Sequence, residues 1–433
     1  MTYEQDISSC LSDAIGSGGL GRAQFDSLLA GLIPAFEALR AHHADNSLPL
    51  LRLPELDDVA GLAKIAAEWR EKFDSVLVLG TGGSSLGGKT LCALVQDDFG
   101  TAPGAPRLHF LENVDPHGFD RTLAALELDR TGLLVISKSG GTTETLTQLF
   151  LCLSAWKAAG IDDLPGRFLA ISEPGENVLR AVCDRENIPV LDHDPKIGGR
   201  YSALSLVGML PALMAGLDGE ALRRGAGAVL RPILDGADPS DVAPAIGAAV
   251  SVGLATQNGV SQTVLMPYID RLASFSKWCR QLWAESLGKD GRGTTPIDAL
   301  GTVDQHSQLQ LYLDGPRDKM FTVIMLDRAG AGGRVDPVLA KDPALDYLAG
   351  RTMGDLVDAE QRATAQTLID CGRPTRIFWL EALNEETLGA LMMHFMLETI
   401  LAAHLFGIDP FDQPAVEQGK ILTRQYLAET GST

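Results

Sequence analysis

Basic residues are scarce in this chain of 433 residues: 36 Lys and Arg stand against 56 Asp and Glu, a formal charge of −20 at pH 7. Such a field argues against nucleic acid or an anionic membrane as the main partner. It also means that a bound phosphate needs local donors, because the overall field repels it. Cysteine is sparse and unpatterned. Cys10, Cys92, Cys152, Cys183, Cys279 and Cys371 include no CxxC pair, so neither a metal nor a disulfide framework is expected, and a reducing cytosol fits. Long unbroken apolar runs are few: the small-and-apolar stretch 243–255 contains Pro244, Gly247 and Gly253 and is too short to span a bilayer. Residues 1–6 lack the basic start and apolar core of a signal peptide. There is no low-complexity tract and no residue-level repeat. A cytoplasmic protein of two or three domains is expected from these absences and the length.

Against that acidic background one stretch concentrates hydrogen-bond donors. Ser137, Lys138, Ser139, Gly140, Gly141, Thr142, Thr143, Glu144 and Thr145 offer five hydroxyls and a lysine within nine residues. The apolar run 133–136 before it reads as a buried strand, and Leu146, Leu149, Phe150, Leu153 and Trp156 after it recur at helical spacing. A strand ending in hydroxyls and glycines that then opens a helix makes an anion cradle, to which the helix N-terminus adds roughly half a positive charge. Capping the helix would use one hydroxyl only. The surplus points to phosphate.

Taken in order, residues up to about 55 read as a helical lead-in broken by Gly16, Gly18, Gly19 and Pro34, and Pro49 and Pro54 mark a connection. A helix over 59–73 and a strand over 75–79 follow. Further strands at 133–136, 167–171 and 188–191 alternate with helical segments, which implies a parallel, doubly wound sheet. A second alternation places strands at 262–268, 320–326 and 376–380, with helical patterns running to about residue 405 and a terminal helix over 416–427. The expected class is α/β. Its parts are an N-terminal helical segment (1–55), a first α/β domain (56–210), a helical linker (211–240), a second α/β domain (241–408) and a C-terminal helical segment (409–433).

Five other motifs carry chemistry. After the first strand, Gly83 through Thr90 matches the P-loop pattern GxxxxGK[ST] in strand-to-helix context, with Lys89 at the lysine position. A nucleotide hydrolase or kinase would need a Walker-B strand ending in Asp, for which 320–327 is a candidate. The motif alone does not separate that reading from a loop that cradles a sugar phosphate. The dinucleotide pattern fails, since Ser85 stands where the third glycine belongs. Gly198 and Gly199 precede Arg200 and allow its backbone to approach a ligand while the guanidinium reaches across. Gln281 and Glu285 are four apart, on one face of a helix that Gly288 ends. Glu285 has the apolar neighbours Trp283, Ala284 and Leu287, a setting for a desolvated base as well as for a solvated surface acid. His306 follows Gly301 and Thr302 in what reads as a loop, and its unperturbed pKa of about 6.5 suits a general acid or base. Lys420 begins the terminal helix.

The ordered blocks GTGGSSLGG, SKSGGTTET, IGGRYSALS, QLWAESLGK, DQHS and PFDQPAVEQGK resemble those of glucose-6-phosphate isomerases across residues 75–420. The resemblance implies two tandem sugar-isomerase (SIS) domains, an aldose–ketose isomerisation of glucose 6-phosphate and fructose 6-phosphate, and no metal or organic cofactor. It implies Glu285 as the base between C1 and C2, His306 and Lys420 in ring opening, and Arg200 beside the developing oxyanion. Ser137, Lys138, Ser139, Thr142 and Thr145 then hold the phosphate, with Gly83, Ser84 and Gln281 as further binding positions. It also implies a homodimer whose active sites are shared between subunits. Leu287, where many members have Asn, Ala415, where Gly is usual, and Gly140–Gly141 depart from the pattern. A non-catalytic SIS-domain sensor is a rival, but it need not keep Glu285, His306 and Lys420 together.

Overall fold

The computed structural model describes residues 2–430. Among these residues the strands are β1 Tyr3–Asp6, β2 Ser75–Leu79, β3 Arg107–Leu111, β4 Thr131–Ile136, β5 Phe168–Ser172, β6 Val190–Asp192, β7 Gln262–Pro267, β8 Thr295–Asp298, β9 Lys319–Leu326 and β10 Thr375–Leu380. They form two sheets, ordered β3-β2-β4-β5-β6 and β1-β10-β9-β7-β8. Every pairing is parallel except that of β1 with β10. In each sheet the first parallel strand in the chain, β2 or β7, is flanked by the second and the third. That order reverses direction between β2 and β4, and again between β7 and β9. Ligands of open α/β sheets bind outside the carboxyl ends of the strands at such reversals.

The central strands were legible because they are apolar on both faces: β4 and β9 are buried along their whole length. Three strands were missed, and all lie at sheet edges. Of these, β3 alternates apolar with polar residues and β8 contains Pro296, which edge positions tolerate. The third, β1, corrects the expected helical segment at 1–55, since Tyr3–Asp6 is an antiparallel edge strand of the second sheet.

The sheets share a core. Val76 and Val78 of β2 point into the same hydrophobic cluster as Met320 and Ile324 of β9, whereas Leu77 and Leu79 face a separate outer cluster. Helices Gly219–Leu234 and Glu385–Phe406 cross in this shared core through a reciprocal glycine contact. A Cβ on Gly225 would meet the Glu386 carbonyl at 1.8 Å, and one on Gly389 would meet the Leu222 carbonyl at 2.0 Å. Helix Glu385–Phe406 is long and apolar enough to cross a membrane, but 89% of its apolar window is buried inside the protein.

A buried polar chain ties the ends of the molecule together. The Tyr3 hydroxyl donates to His394 Nδ1 (2.6 Å), and His394 Nε2 donates to Glu398 (3.0 Å). This tautomer follows from the carboxylate, which can only accept. Arg376 Nη1 lies 2.8 Å from both Glu398 oxygens, and its Nε donates to Thr322 Oγ1 (3.1 Å). Gly247 leaves room for the pair, since a Cβ there would stand 2.5 Å from Arg376 Nη1. Burial pulls the His394 pKa below its ordinary value despite Glu398 beside it. Removing the charge of Glu398 strands Arg376 in the interior. Glu398→Gln should therefore cost roughly 3–5 kcal/mol in a urea denaturation series, and a loss below about 1 kcal/mol would show that the pair does not hold the sheet to its helix.

Candidate active site

The loops after β2 and β4 leave adjacent strands at the reversal of the first sheet. In the β4 loop the Ser137 hydroxyl donates to Thr142 Oγ1 (3.1 Å), and the Gly141 N–H donates to Ser139 Oγ (3.4 Å). Thr142 is the N-cap residue of helix Thr143–Ala158, yet its side chain caps nothing. The hydroxyls are therefore not consumed by the helix end, as simple capping would require. Gly140 has φ +63°, and a Cβ there would strike Asn177 Oδ1 at 2.0 Å, so the turn needs glycine. Lys138 is half-buried, and burial draws its ammonium pKa below the usual lysine range, with Arg200 adding to the effect and Glu173 and Asp194 opposing it. Thr145 is fully buried with no hydroxyl partner among the described residues.

The β2 loop does not behave as a nucleotide loop. Lys89 is ion-paired with Glu112, at the end of β3, whose other oxygen accepts from Ser85 Oγ (3.2 Å). The helix that follows, Leu86–Cys92, has only seven residues, and the Walker-B candidate belongs to β9 in the other sheet. The glycines serve close approach instead. A Cβ on Gly83 would meet the Gly199 carbonyl carbon at 2.2 Å and Arg200 N at 2.6 Å, and one on Gly82 would stand 2.8 Å from Gln281 Nε2. Ser202 Oγ donates to the Gly83 carbonyl (3.2 Å). This loop is thus pressed against two candidate residues at once, Arg200 and Gln281, with Ser84 next to the contact.

Arg200 is the hub. Its side chain is 2% exposed, and its five N–H donors find five acceptors. Nε donates to Ser286 Oγ (2.8 Å), and Nη1 to Gln413 Oε1 (2.7 Å) and Glu285 Oε2 (3.3 Å). Nη2 donates to the Pro410 carbonyl and the Asp412 carbonyl (3.0 Å). Ser286 is also 3.0 Å from the Tyr201 hydroxyl, and Trp278 Nε1 donates to the Arg200 carbonyl (3.2 Å). Helix Ala273–Leu287, which follows β7, carries Gln281 and Glu285, and Gln281 Nε2 donates to Glu285 Oε1 (2.8 Å). Each oxygen of Glu285 thus accepts one hydrogen bond, while a third of the side chain stays open to solvent. A carboxylate so placed is oriented and accessible, as a proton-transfer base must be.

Two candidates make no hydrogen bond or ion pair with this cluster among the described residues. His306 is on a short helix, Val303–Ser307, rather than in a loop, and is exposed with no hydrogen bond among the described residues. Lys420 sits on the exposed helix Glu417–Thr430 and pairs with Glu417 (2.7 Å). Sequence reasoning missed Ser286, Trp278 and Gln413. All three stood inside or beside quoted blocks, but nothing in their spacing announces an arginine as partner. Among the described residues no three or more His, Cys, Asp or Glu side chains gather as a metal site.

The phosphoglucose isomerase family model matches residues 64–432. The chain belongs to the phosphoglucose isomerase family. Its relatives include a glucose-6-phosphate isomerase of Rubrobacter xylanophilus, 39% identical over 82% of either chain. Another is a glucose-6-phosphate isomerase of Carboxydothermus hydrogenoformans, 31% identical over 100% of this chain and 96% of that one. The crystal structure of a hypothetical protein of Thermus thermophilus superposes with a TM-score of 0.85 at 32% identity, covering 98% of this chain and all of that one. The phosphoglucose isomerase match takes in both parallel arrays and all six blocks. Leu287, at the position where many family members have Asn, is fully buried in the shared core.

With Lys89 committed to Glu112, the Walker-like string has no lysine to offer a nucleotide. Isothermal titration with Mg·ATP should show no binding at micromolar concentrations. A saturable micromolar isotherm would return the β2 loop to the P-loop reading.

Proposed function

We propose that this chain interconverts glucose 6-phosphate and fructose 6-phosphate, in glycolysis and gluconeogenesis, in a site between two SIS-type domains. The supporting observation is the junction itself: Glu285 and Gln281 from the second sheet's helix meet Arg200 and the β2 loop of the first. The first SIS-type unit spans 56–210 and the second 241–408; residues 1–55 add the edge strand β1 and mostly helical segments, and 211–240 and the described part of 409–433 are helical additions. The protein is cytoplasmic, acts on a sugar phosphate rather than on nucleic acid or membrane, and needs neither metal nor cofactor.

In this reading the phosphate is held by Ser137, Lys138, Ser139, Thr142 and Thr145 at the head of helix Thr143–Ala158, where the helix dipole offsets the chain's negative field. Gly83, Ser84 and Gln281 border the sugar. Anchoring the remote phosphate commits its binding energy to placing C1 and C2 against Glu285. Glu285 takes the C2 proton of the open-chain aldose, leaving a cis-enediol(ate), and returns it to C1. A hydroxyl proton leaves O2 while O1 gains one, so the ketose forms with no net redox change. Arg200, already desolvated, lies where negative charge develops on the enediolate oxygens. Ring opening falls to His306 and Lys420.

Replacing Glu285 with Gln preserves shape and most hydrogen bonding but ends proton acceptance. In a coupled assay run in EDTA, turnover should fall about 10²–10⁴-fold, while 6-phosphogluconate still binds. Near-normal turnover would remove Glu285 from the chemistry.

Neither His306 nor Lys420 hydrogen-bonds or ion-pairs with Glu285 among the described residues, and in this reading a homodimer with shared sites supplies the histidine. Inactive Glu285→Gln and inactive His306→Ala subunits, unfolded and refolded together, test this arithmetically. Random pairing makes about half the dimers mixed, and each mixed dimer has one intact site, so activity should return to roughly a quarter of wild type. Well-refolded mixtures that stay inactive would show that each chain provides its own histidine.

A further inference from the structure

We infer that Lys289 is a positioning residue for the isomerisation, acting by clamping the strap 409–413 against Arg200; this rests on the functional reading above. Lys289 follows the C-cap glycine of the helix that carries Gln281 and Glu285. Its side chain is only 11% exposed, unusual for a lysine that serves mere solubility. Its ammonium donates to the Asp409 carbonyl and stands 2.7 Å from Asp412 Oδ1. It therefore joins the end of the catalytic helix to a segment more than a hundred residues further along the chain.

The same strap is what saturates Arg200. Of the five acceptors around the guanidinium, three belong to residues 410, 412 and 413. Asp409 Oδ1 accepts from the Phe411 N–H (2.8 Å), and the Phe411 ring rests on Tyr201 with centroids 5.4 Å apart. Two cations thus grip one short segment, Arg200 on the carbonyls of Pro410 and Asp412 and Lys289 on the carbonyl of Asp409 and the carboxylate of Asp412. The Lys289 hydrogen bond and charge, with Arg200 behind them, hold the Asp412 carboxyl below the usual aspartate range.

The consequence lies in how Arg200 meets Glu285. In the clamped state only one N–H reaches the base, at 3.3 Å. With the strap loose, Arg200 loses three acceptors, and a guanidinium fork closes on both oxygens of a nearby carboxylate when nothing else holds it. Glu285 would then be less basic and turned from C2. Lys289 prevents this without touching substrate.

The test is steady-state kinetics of fructose 6-phosphate isomerisation with Lys289→Met, Lys289→Arg and Asp412→Asn. Lys289→Met should lower kcat about 10- to 100-fold, the scale of a displacement near 1 Å at a reacting group. KM should stay within about threefold, because the phosphate loop on the first sheet is untouched, and the melting temperature should hold. Lys289→Arg, still a cationic donor, should recover much of kcat, and Lys289→Met with Asp412→Asn should be no worse than Lys289→Met alone. Unchanged kcat in Lys289→Met overturns the inference, as does a matched rise in KM with falling stability. If Lys289→Met does not fold, Asp412→Asn on the exposed strap decides alone: a drop in kcat at constant KM supports the clamp, and wild-type kcat refutes it. A wild type that does not turn over fructose 6-phosphate would instead refute the functional reading.

Discussion

One buried guanidinium organises the candidate site. Arg200 is removed from water, so each of its N–H groups must find an acceptor or leave a charged donor unsatisfied. It finds them on two distant segments: Ser286 and Glu285 at the end of one helix, and the carbonyls and amide of the strap 410–413. Those segments are consequently held at fixed positions relative to one another. Glu285 is oriented by the same guanidinium that, in the proposed reaction, would meet the developing negative charge. The close packing of Gly83 on Gly199 and Arg200 extends the constraint to the first sheet.

The sequence displayed the elements whose physics is local. Buried parallel strands are nearly all apolar, so β2, β4, β7 and β9 could be read to within a residue or two. Edge strands are half polar, and β1, β3 and β8 gave no such signal. Among the site residues, the Gln281–Glu285 spacing on a helix was legible, and so was the glycine pair before Arg200. Their meeting was not, because it depends on how two sheets dock. Recognition of backbone carbonyls is invisible in sequence altogether: Pro410 and Asp412 are bound to Arg200 through atoms that every residue possesses. His306 was legible only as a candidate acid or base and Lys420 only through the resemblance, and neither hydrogen-bonds or ion-pairs with Glu285 among the described residues.

The two sheets are coupled through packing as well as through the site. Alternate residues of β2 divide between the shared core and an outer cluster, and β9 is divided in the same way. The crossing of helices Gly219–Leu234 and Glu385–Phe406 brings backbone against backbone at Gly225 and Gly389, an approach that no larger residue permits. Close-packed interfaces of this kind shift in discrete steps rather than bending smoothly. Glu285, on a helix of the second sheet, and Arg200, beside the first, therefore keep their separation.

The pairing of β1 with β10 has a consequence for how the chain is made. Tyr3 lies against Leu380 in the sheet and hydrogen-bonds to His394, 391 residues away along the chain. During synthesis the first strand leaves the ribosome long before its neighbour exists, and it carries an aromatic side chain and unpaired strand edge meanwhile. The second sheet closes only when nearly the whole polypeptide has emerged. Contacts of such sequence separation form late and slowly. The first sheet, whose strands all lie between residues 75 and 192, can assemble beforehand. The chain order thus sets an order of events, with the first sheet and its β4 loop built early and the edge strand that completes the second sheet added last.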